Sequence, residues 1–159
     1  MIRSYKARTD TTHIVRLIRA ELVPLSHHAG YAGRLSDRDL ASRLKWGATF
    51  VASRERLAQP DGFIHVVARN DVLVVDMLAV QPNRRRRSLG RRLMACGEAY
   101  GRSAGCSRAC LFVDQGNERA HRFYARLGYA TVRYLPHYRC FELVKPLSGG
   151  GSAHLAAMP

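Results

Sequence analysis

"VLVVDMLAVQPNRRRRSLGRRLM", residues Val72 to Met94, joins two segments of opposite character through a turn of concentrated positive charge. Val72–Val80 is nearly all apolar, as a strand buried on both faces would be. From Leu89 onward the apolar residues recur at helical spacing: Leu89, Leu93, Cys96 and Tyr100 form one stripe, and Gly105 can end the helix. Between them, Gln81–Met94 holds six arginines in fourteen residues, four of them consecutive. A helix N-terminus leaves about four backbone N–H groups without partners and carries roughly half a positive charge. A buried strand running into such a helix therefore makes the turn a ready anion site. Ser88 can cap the helix, Gly90 lets a backbone approach closely, and the arginines add charge-assisted donors. Read alone, the turn serves equally as a phosphate site or as a solvated basic surface. It is not a P-loop, because GxxxxGK[ST] is absent, and GxGxxG does not occur either.

Working outward, Ile2–Ala7 alternates like a short strand. Thr9, Asp10 and Thr11 offer N-cap oxygens for a helix carrying Ile14, Leu17, Ile18 and Leu22, which Pro24 limits or bends. A loop with His27 and His28 follows. Ser36 and Asp39 then form a capping pattern for a helix closing at Gly47. Ala48–Glu55, Gly62–Arg69 and Val72–Val80 read as strands joined by turns. Beyond the arginine turn come a strand (Arg108–Asp114), a helix capped by Asn117 with Gly128 after its end, and two last strands, Tyr129–Leu135 and Tyr138–Leu147. The order β-α-α-β-β-β-α-β-α-β-β predicts one α/β or α+β domain with a mixed sheet and helices on its faces. Its span is residues 1–147, and 148–159 is expected to be a flexible, Gly-rich tail.

The chain has 159 residues, with 26 Lys+Arg against 12 Asp+Glu, a net charge of +14. A field of that sign attracts polyanions: nucleic acid, anionic membrane or a phosphorylated small molecule. An N-terminus without an apolar core carries no signal-peptide pattern, and no stretch has the ~18 apolar residues of a membrane span. The spacing of Cys96, Cys106, Cys110 and Cys140 matches no zinc site, so no metal is expected; reduced thiols in a cytoplasmic protein are.

Two motifs in order narrow the reading. Val80-Gln81-Pro82 followed by Arg85-Arg86-Arg87-Ser88-Leu89-Gly90 resembles the coenzyme-binding motif Gln/Arg-x-x-Gly-x-Gly/Ala of the GNAT superfamily of N-acetyltransferases, preceded by a strand ending in Val-x-Pro. "LFVDQGNERAHRFYARLGY" (Leu111–Tyr129) resembles that superfamily's next motif: a strand, an Asn, then Phe-Tyr and a Gly-Tyr pair. "FELVKPL" is similar to its closing strand. There are two departures. Ser88 stands for the first motif glycine, and Arg86 stands where glycine often follows the leading arginine.

The resemblance implies a mostly antiparallel mixed sheet of about seven strands with a V-shaped splay, flanked by about four helices. It implies transfer of an acetyl group from acetyl-CoA to a primary amine by direct attack, through a tetrahedral intermediate. Backbone N–H groups of Arg86, Arg87, Ser88, Leu89, Gly90 and Arg91 would bind the pyrophosphate, with Arg85 and its neighbours neutralising phosphates. Leu78, Ala79 and Val80 would run beside the pantetheine arm, and Asn117 would contact it. Tyr124 would protonate the departing thiolate, although by periodicity it is equally one member of an apolar stripe.

An ammonium acceptor must lose a proton before it attacks. Asp76, in an otherwise apolar strand, is the first candidate base, placed by alternation on one face with Leu78 and Val80. It can equally pair with an arginine. His65 on the neighbouring strand is the reserve base, and His121 is expected at the surface. The acceptor, a small amine or a protein amine, is not specified. Dimers are common in the superfamily, so a homodimer is possible. The alternative is a non-catalytic basic module that binds nucleic acid or senses CoA. Nucleic-acid binding predicts aromatics interleaved with the basic residues, and Arg84–Arg92 has none.

Overall fold

The computed structural model describes residues 1–25 and 34–147. The loop histidines His27 and His28 and the tail 148–159 lie outside the described residues. The strands are β1 (Ile2–Ser4), β2 (Ala48–Ala52), β3 (Gly62–Arg69), β4 (Val72–Val80), β5 (Arg108–Asp114), β6 (Ala130–Leu135) and β7 (Cys140–Pro146). The described α-helices are α1 (Ala7–Leu17), α2 (Asp37–Arg43), α3 (Leu89–Ser103) and α4 (Glu118–Arg126). One seven-stranded sheet runs β1-β2-β3-β4-β5-β7-β6. Every neighbouring pair is antiparallel except β4 and β5, which are parallel.

The central strands are apolar on both faces because both faces are covered. One cluster beneath α3 and α4 gathers Ile64, Val66, Leu73, Val75, Leu93, Leu111, Val113 and Leu143. A second beneath α1 and α2 gathers Ile14, Leu17, Ile18, Leu40, Leu44, Val51, Phe63 and Ala79. Phe63 and Ile64, adjacent on β3, go one to each cluster, as a pleated strand requires. Gly97 and Gly101 let α3 sit close on the sheet. A Cβ at Gly97 would lie 2.9 Å from Ile64 Cδ1, and one at Gly101 would lie 2.9 Å from Leu73 Cδ2.

Several boundaries differ from the sequence expectation. α1 begins at Ala7 and not after Thr9, because Asp10 caps it from inside: its Oδ2 accepts the Lys6 N–H at 2.7 Å. That shortens β1. Pro24 does not end the helical segment abruptly. The chain widens into a π turn at Ile18–Leu22 and tightens into a 3-10 turn at Val23–Leu25, which accommodates a residue that cannot donate. Ser36 and Asp39 form the expected reciprocal capping box on α2.

Asp10 is 1% exposed and also takes two hydrogen bonds from Arg3, at 2.7 and 2.9 Å, which ties β1 to α1. Burial works to raise its pKa, but the Arg3 guanidinium, the Lys6 N–H and the Thr9 hydroxyl outweigh that and hold it below the usual carboxylate value. A depressed folded pKa stabilises above the unfolded value and is lost as pH falls. Asp10→Asn leaves the largely covered Arg3 guanidinium without its counter-ion, so urea denaturation at neutral pH should show a loss of about 3 kcal/mol. The gap between wild type and variant should narrow as pH drops below about 4.

Candidate active site

β4 and β5 form only three paired positions, Val72–Val74 against Arg108–Cys110, and then part. The gap opens into a cleft of about 680 Å³, lined by Val75–Val80 on one side and Leu111–Asp114 on the other. Across the other edge of β4, His65 faces Met77 while Val66 faces Val75, so Asp76 is the extra residue of a β-bulge. The bulge shifts the alternation by one. Leu73, Val75, Leu78 and Val80 all belong with the α3/α4 cluster, whereas Met77 and Ala79 belong with the α1/α2 cluster. The expected sharing of one face by Asp76, Leu78 and Val80 is therefore corrected. The Asp76 carboxylate is held by Arg43 of α2, on the other face.

At the cleft's mouth lies the arginine turn. Arg86 (φ 64°) and Ser88 (φ 58°) are both left-handed, a conformation that favours glycine. This explains why the motif prefers glycine where Ser88 stands. The first α3 bond to reach back into the turn is Arg92 N–H to Ser88 O, at 2.9 Å. Among the described residues, the N–H groups of Arg86, Arg87, Ser88, Leu89, Gly90 and Arg91 have no acceptor. Ser88 does not cap the helix with its side chain, as its left-handed backbone explains. Arg85 faces inward: Nη2 donates to Glu21 Oε2 at 2.6 Å and Nε to Val80 O at 3.2 Å. Its side chain thus buttresses the turn against the π turn through two of its three nitrogens, while also lining the cleft. Arg86, Ser88, Leu89, Gly90 and Arg91 line the cleft and Arg87 does not. Gly90 is also small for packing, since a Cβ there would lie 3.2 Å from Phe123 Cζ.

α4 forms another wall, through Asn117, Arg119, Ala120, Arg122, Phe123, Tyr124 and Arg126. Asn117 caps the helix, its Oδ1 accepting the Ala120 N–H at 3.3 Å. Tyr124 packs edge-on to Phe123 and Tyr129, with ring centroids 5.1 and 5.8 Å apart. Burial raises its pKa well beyond the usual phenol range, so it keeps its proton. Behind it, the Tyr129 hydroxyl donates to Glu98 Oε1 at 3.0 Å, and Lys145 Nζ reaches Glu98 Oε2 at 2.9 Å. That buried network clamps α3, β7 and the end of α4 behind Tyr124. Sequence reading missed it, because Glu98 sits within an otherwise ordinary helical pattern. His121 is partly exposed, bonded to Thr131 Oγ1 at 2.8 Å and tilted against Phe141.

Asp76 is not an isolated carboxylate. Arg43 Nη2 lies 2.5 Å from Oδ1 and Nε 3.0 Å from Oδ2, a bidentate pair. His65 is fully buried, with Nε2 3.6 Å from Asp76 Oδ2. The Thr49 hydroxyl donates to Leu44 O at 2.9 Å, so its oxygen accepts Nδ1–H of His65 at 2.8 Å. Nε2 then carries the lone pair and has no hydrogen-bond partner. Burial lowers the His65 pKa, Arg43 lowers it further, and Asp76 opposes them, leaving the ring neutral. Neither Arg43 nor Glu21 was legible as a site residue, because each meets its partner across a long sequence separation.

A sheet split between its parallel central strands, with free backbone donors at one mouth of the split, is the frame of coenzyme-dependent acyltransferases. The sequence model of the acetyltransferase (GNAT) family matches residues 17–129, and the chain belongs to that family. It is 26% identical over 148 residues to the mycothiol acetyltransferase of Saccharopolyspora erythraea, across 81% of this chain but 43% of that protein. The chain therefore spans less than half the length of that curated relative. The fold resembles the ribosomal-protein-S18-alanine N-acetyltransferase of Escherichia coli (TM-score 0.71, 20% identity, 95% of this chain and 96% of that one). It also resembles an aminoglycoside 6'-N-acetyltransferase complexed with coenzyme A (TM-score 0.76, 16% identity, 94% and 98%). At these identities the two structures speak to the fold.

Replacing Ser88 by glycine removes the steric cost of a left-handed side chain, about 1 kcal/mol, against a smaller loss from a freer unfolded chain. Ser88→Gly should melt slightly higher than wild type in thermal denaturation, and Ser88→Val should melt lower.

Proposed function

We propose that this chain is an N-acetyltransferase that takes its acetyl group from acetyl-CoA and delivers it to a primary amine. The observation that carries the reading is the run of unpartnered N–H groups from Arg86 to Arg91, set where the β4–β5 cleft opens. Six successive donors at a helix N-terminus suit the oxygens of a pyrophosphate. Arg86 and Arg91 line the same mouth and add charge. The edge of β4 from Val75 to Val80 is not paired to β5 across the gap, so Leu78, Ala79 and Val80 can bond an extended pantetheine arm as a further strand would. Asn117 keeps its amide NH₂ for the same arm while its oxygen caps α4.

The thioester supplies an activated acyl carbon; the chain's residues manage the protons. In the transfer, a bond forms from the amine nitrogen to the acyl carbon and the carbon–sulfur bond breaks. Tyr124, protonated and on the cleft wall, gives its proton to the departing sulfur and regains one, through water, from the nitrogen, which must lose a second proton once it is bonded to the acyl carbon. Asp76, at the bulge, takes the proton the ammonium must lose, once Arg43 releases one of its oxygens. His65 stands behind it with a free lone pair. Residues 1–147 form the catalytic domain in this reading. A cytoplasmic setting is supported by four unpaired cysteines, three of them buried.

Calorimetry with acetyl-CoA tests the core of the reading: wild type should bind and Ser88→Trp should not, and wild type without binding would sink it. Tyr124→Phe should keep the acetyl-CoA affinity and lose on the order of 100-fold in kcat. Unchanged turnover would remove Tyr124 from its role.

A further inference from the structure

Resting on that reading, we propose that the acceptor is an amino carboxylate with an apolar side chain, its ammonium received by Asp76 and its carboxylate by Arg43. The cleft continues past β4 to the α1/α2 side, where its wall is Ile18, Leu22, Leu25, Leu35, Met77 and, from β5, Phe112. Leu25 is 54% exposed and Phe112 50%, unusual positions for large apolar groups and suited to covering an apolar side chain. Set into this wall is the Arg43–Asp76 pair, with side chains 48% and 17% exposed.

The pair decides the charge of the acceptor. Asp76 lies at the bulge beside the splay, where an attacking nitrogen must arrive. Each of its oxygens already accepts from one guanidinium and keeps a further lone pair, so an ammonium that reaches it sits beside the positive charge of Arg43. A purely cationic amine would share Arg43's counter-ion and sit next to a second positive charge. An amino carboxylate exchanges one ion pair for two: its ammonium meets Asp76 and its carboxylate meets the guanidinium. Because Arg43 and Asp76 are in direct contact, the acceptor's two charges must be about one carbon apart, as in an α-amino acid. The exchange also frees Asp76 to take the ammonium's proton, so the acceptor unlocks its own base. Two other acids line the cleft. Glu21 is bonded to Arg85. Asp114, at the end of β5, is in no ion pair among the described residues and is the competing seat for an ammonium.

The test compares L-leucine, L-methionine and L-phenylalanine with isoamylamine, 2-phenylethylamine, leucinamide and spermidine. It reads thiol release from acetyl-CoA, and separately the calorimetric Kd of L-leucine for CoA-saturated protein. Wild type should favour L-leucine over isoamylamine and leucinamide by on the order of 30-fold in kcat/KM. Arg43→Gln should collapse that ratio toward one and weaken L-leucine binding, and Arg43→Lys should restore part of both. Equal use of leucinamide and L-leucine by wild type overturns the proposal, as does a preference that survives Arg43→Gln or disappears only in Asp114→Asn. Protein that binds acetyl-CoA and acetylates spermidine but not L-leucine keeps the acetyltransferase reading and overturns this one. Protein that binds no acetyl-CoA overturns both.

Discussion

The structure turns on the parting of β4 from β5 after three paired positions. A parallel pair at the centre of a sheet would ordinarily continue, since each further position satisfies backbone groups that are otherwise orphaned. Here the strands separate, and the backbone edge of β4 is left facing a cleft. The bulge at Asp76 belongs to the same event. It lets β4 keep its ladder with β3 while the strand bends, and it returns apolar side chains to both clusters after the bend. The cleft thus has a floor of sheet backbone and walls from α3 and α4 on one side and from α2 and the π turn after α1 on the other.

The arginine turn is built to serve that cleft at some cost in local strain. Two non-glycine residues, Arg86 and Ser88, hold left-handed backbone within three positions. Fixing such a turn requires external contacts, and Arg85 supplies them by reaching back to Val80 O and across to Glu21. The most basic stretch of the chain therefore contains both a structural arginine and arginines left free at the mouth. Ser88 and Arg86, which depart from the motif, both take a left-handed backbone, the conformation that glycine favours.

The order and kind of the elements were legible because they depend on local pattern: the apolar run of β4, the stripe of α3, and the caps at Ser36 and Asn117. The positions of Asn117 and Tyr124 on the cleft were legible through the motif. What escaped were features set by partners far along the chain. Strict alternation placed Asp76 beside Leu78 and Val80, and one inserted residue reversed it. No local pattern distinguishes a bulge in a run of Val, Asp and Met. Arg43 reaches Asp76 across 33 residues and Arg85 reaches Glu21 across 64. Asp10 was read as one of three candidate caps, and its burial against Arg3 moved the start of α1.

The excess of positive charge has a structural as well as a functional part. Arg3, Arg43, Arg85 and Arg133 each hold a carboxylate, and these pairs fasten one element to another. Arg86, Arg91, Arg119 and Arg126 line the cleft and are in no ion pair among the described residues. These four arginines add unpaired positive charge to the border of the cleft. A concave, low-dielectric mouth concentrates a field better than a flat one and draws in a small polyanion. Beyond β4 the same cleft changes character, to apolar side chains and one closed ion pair.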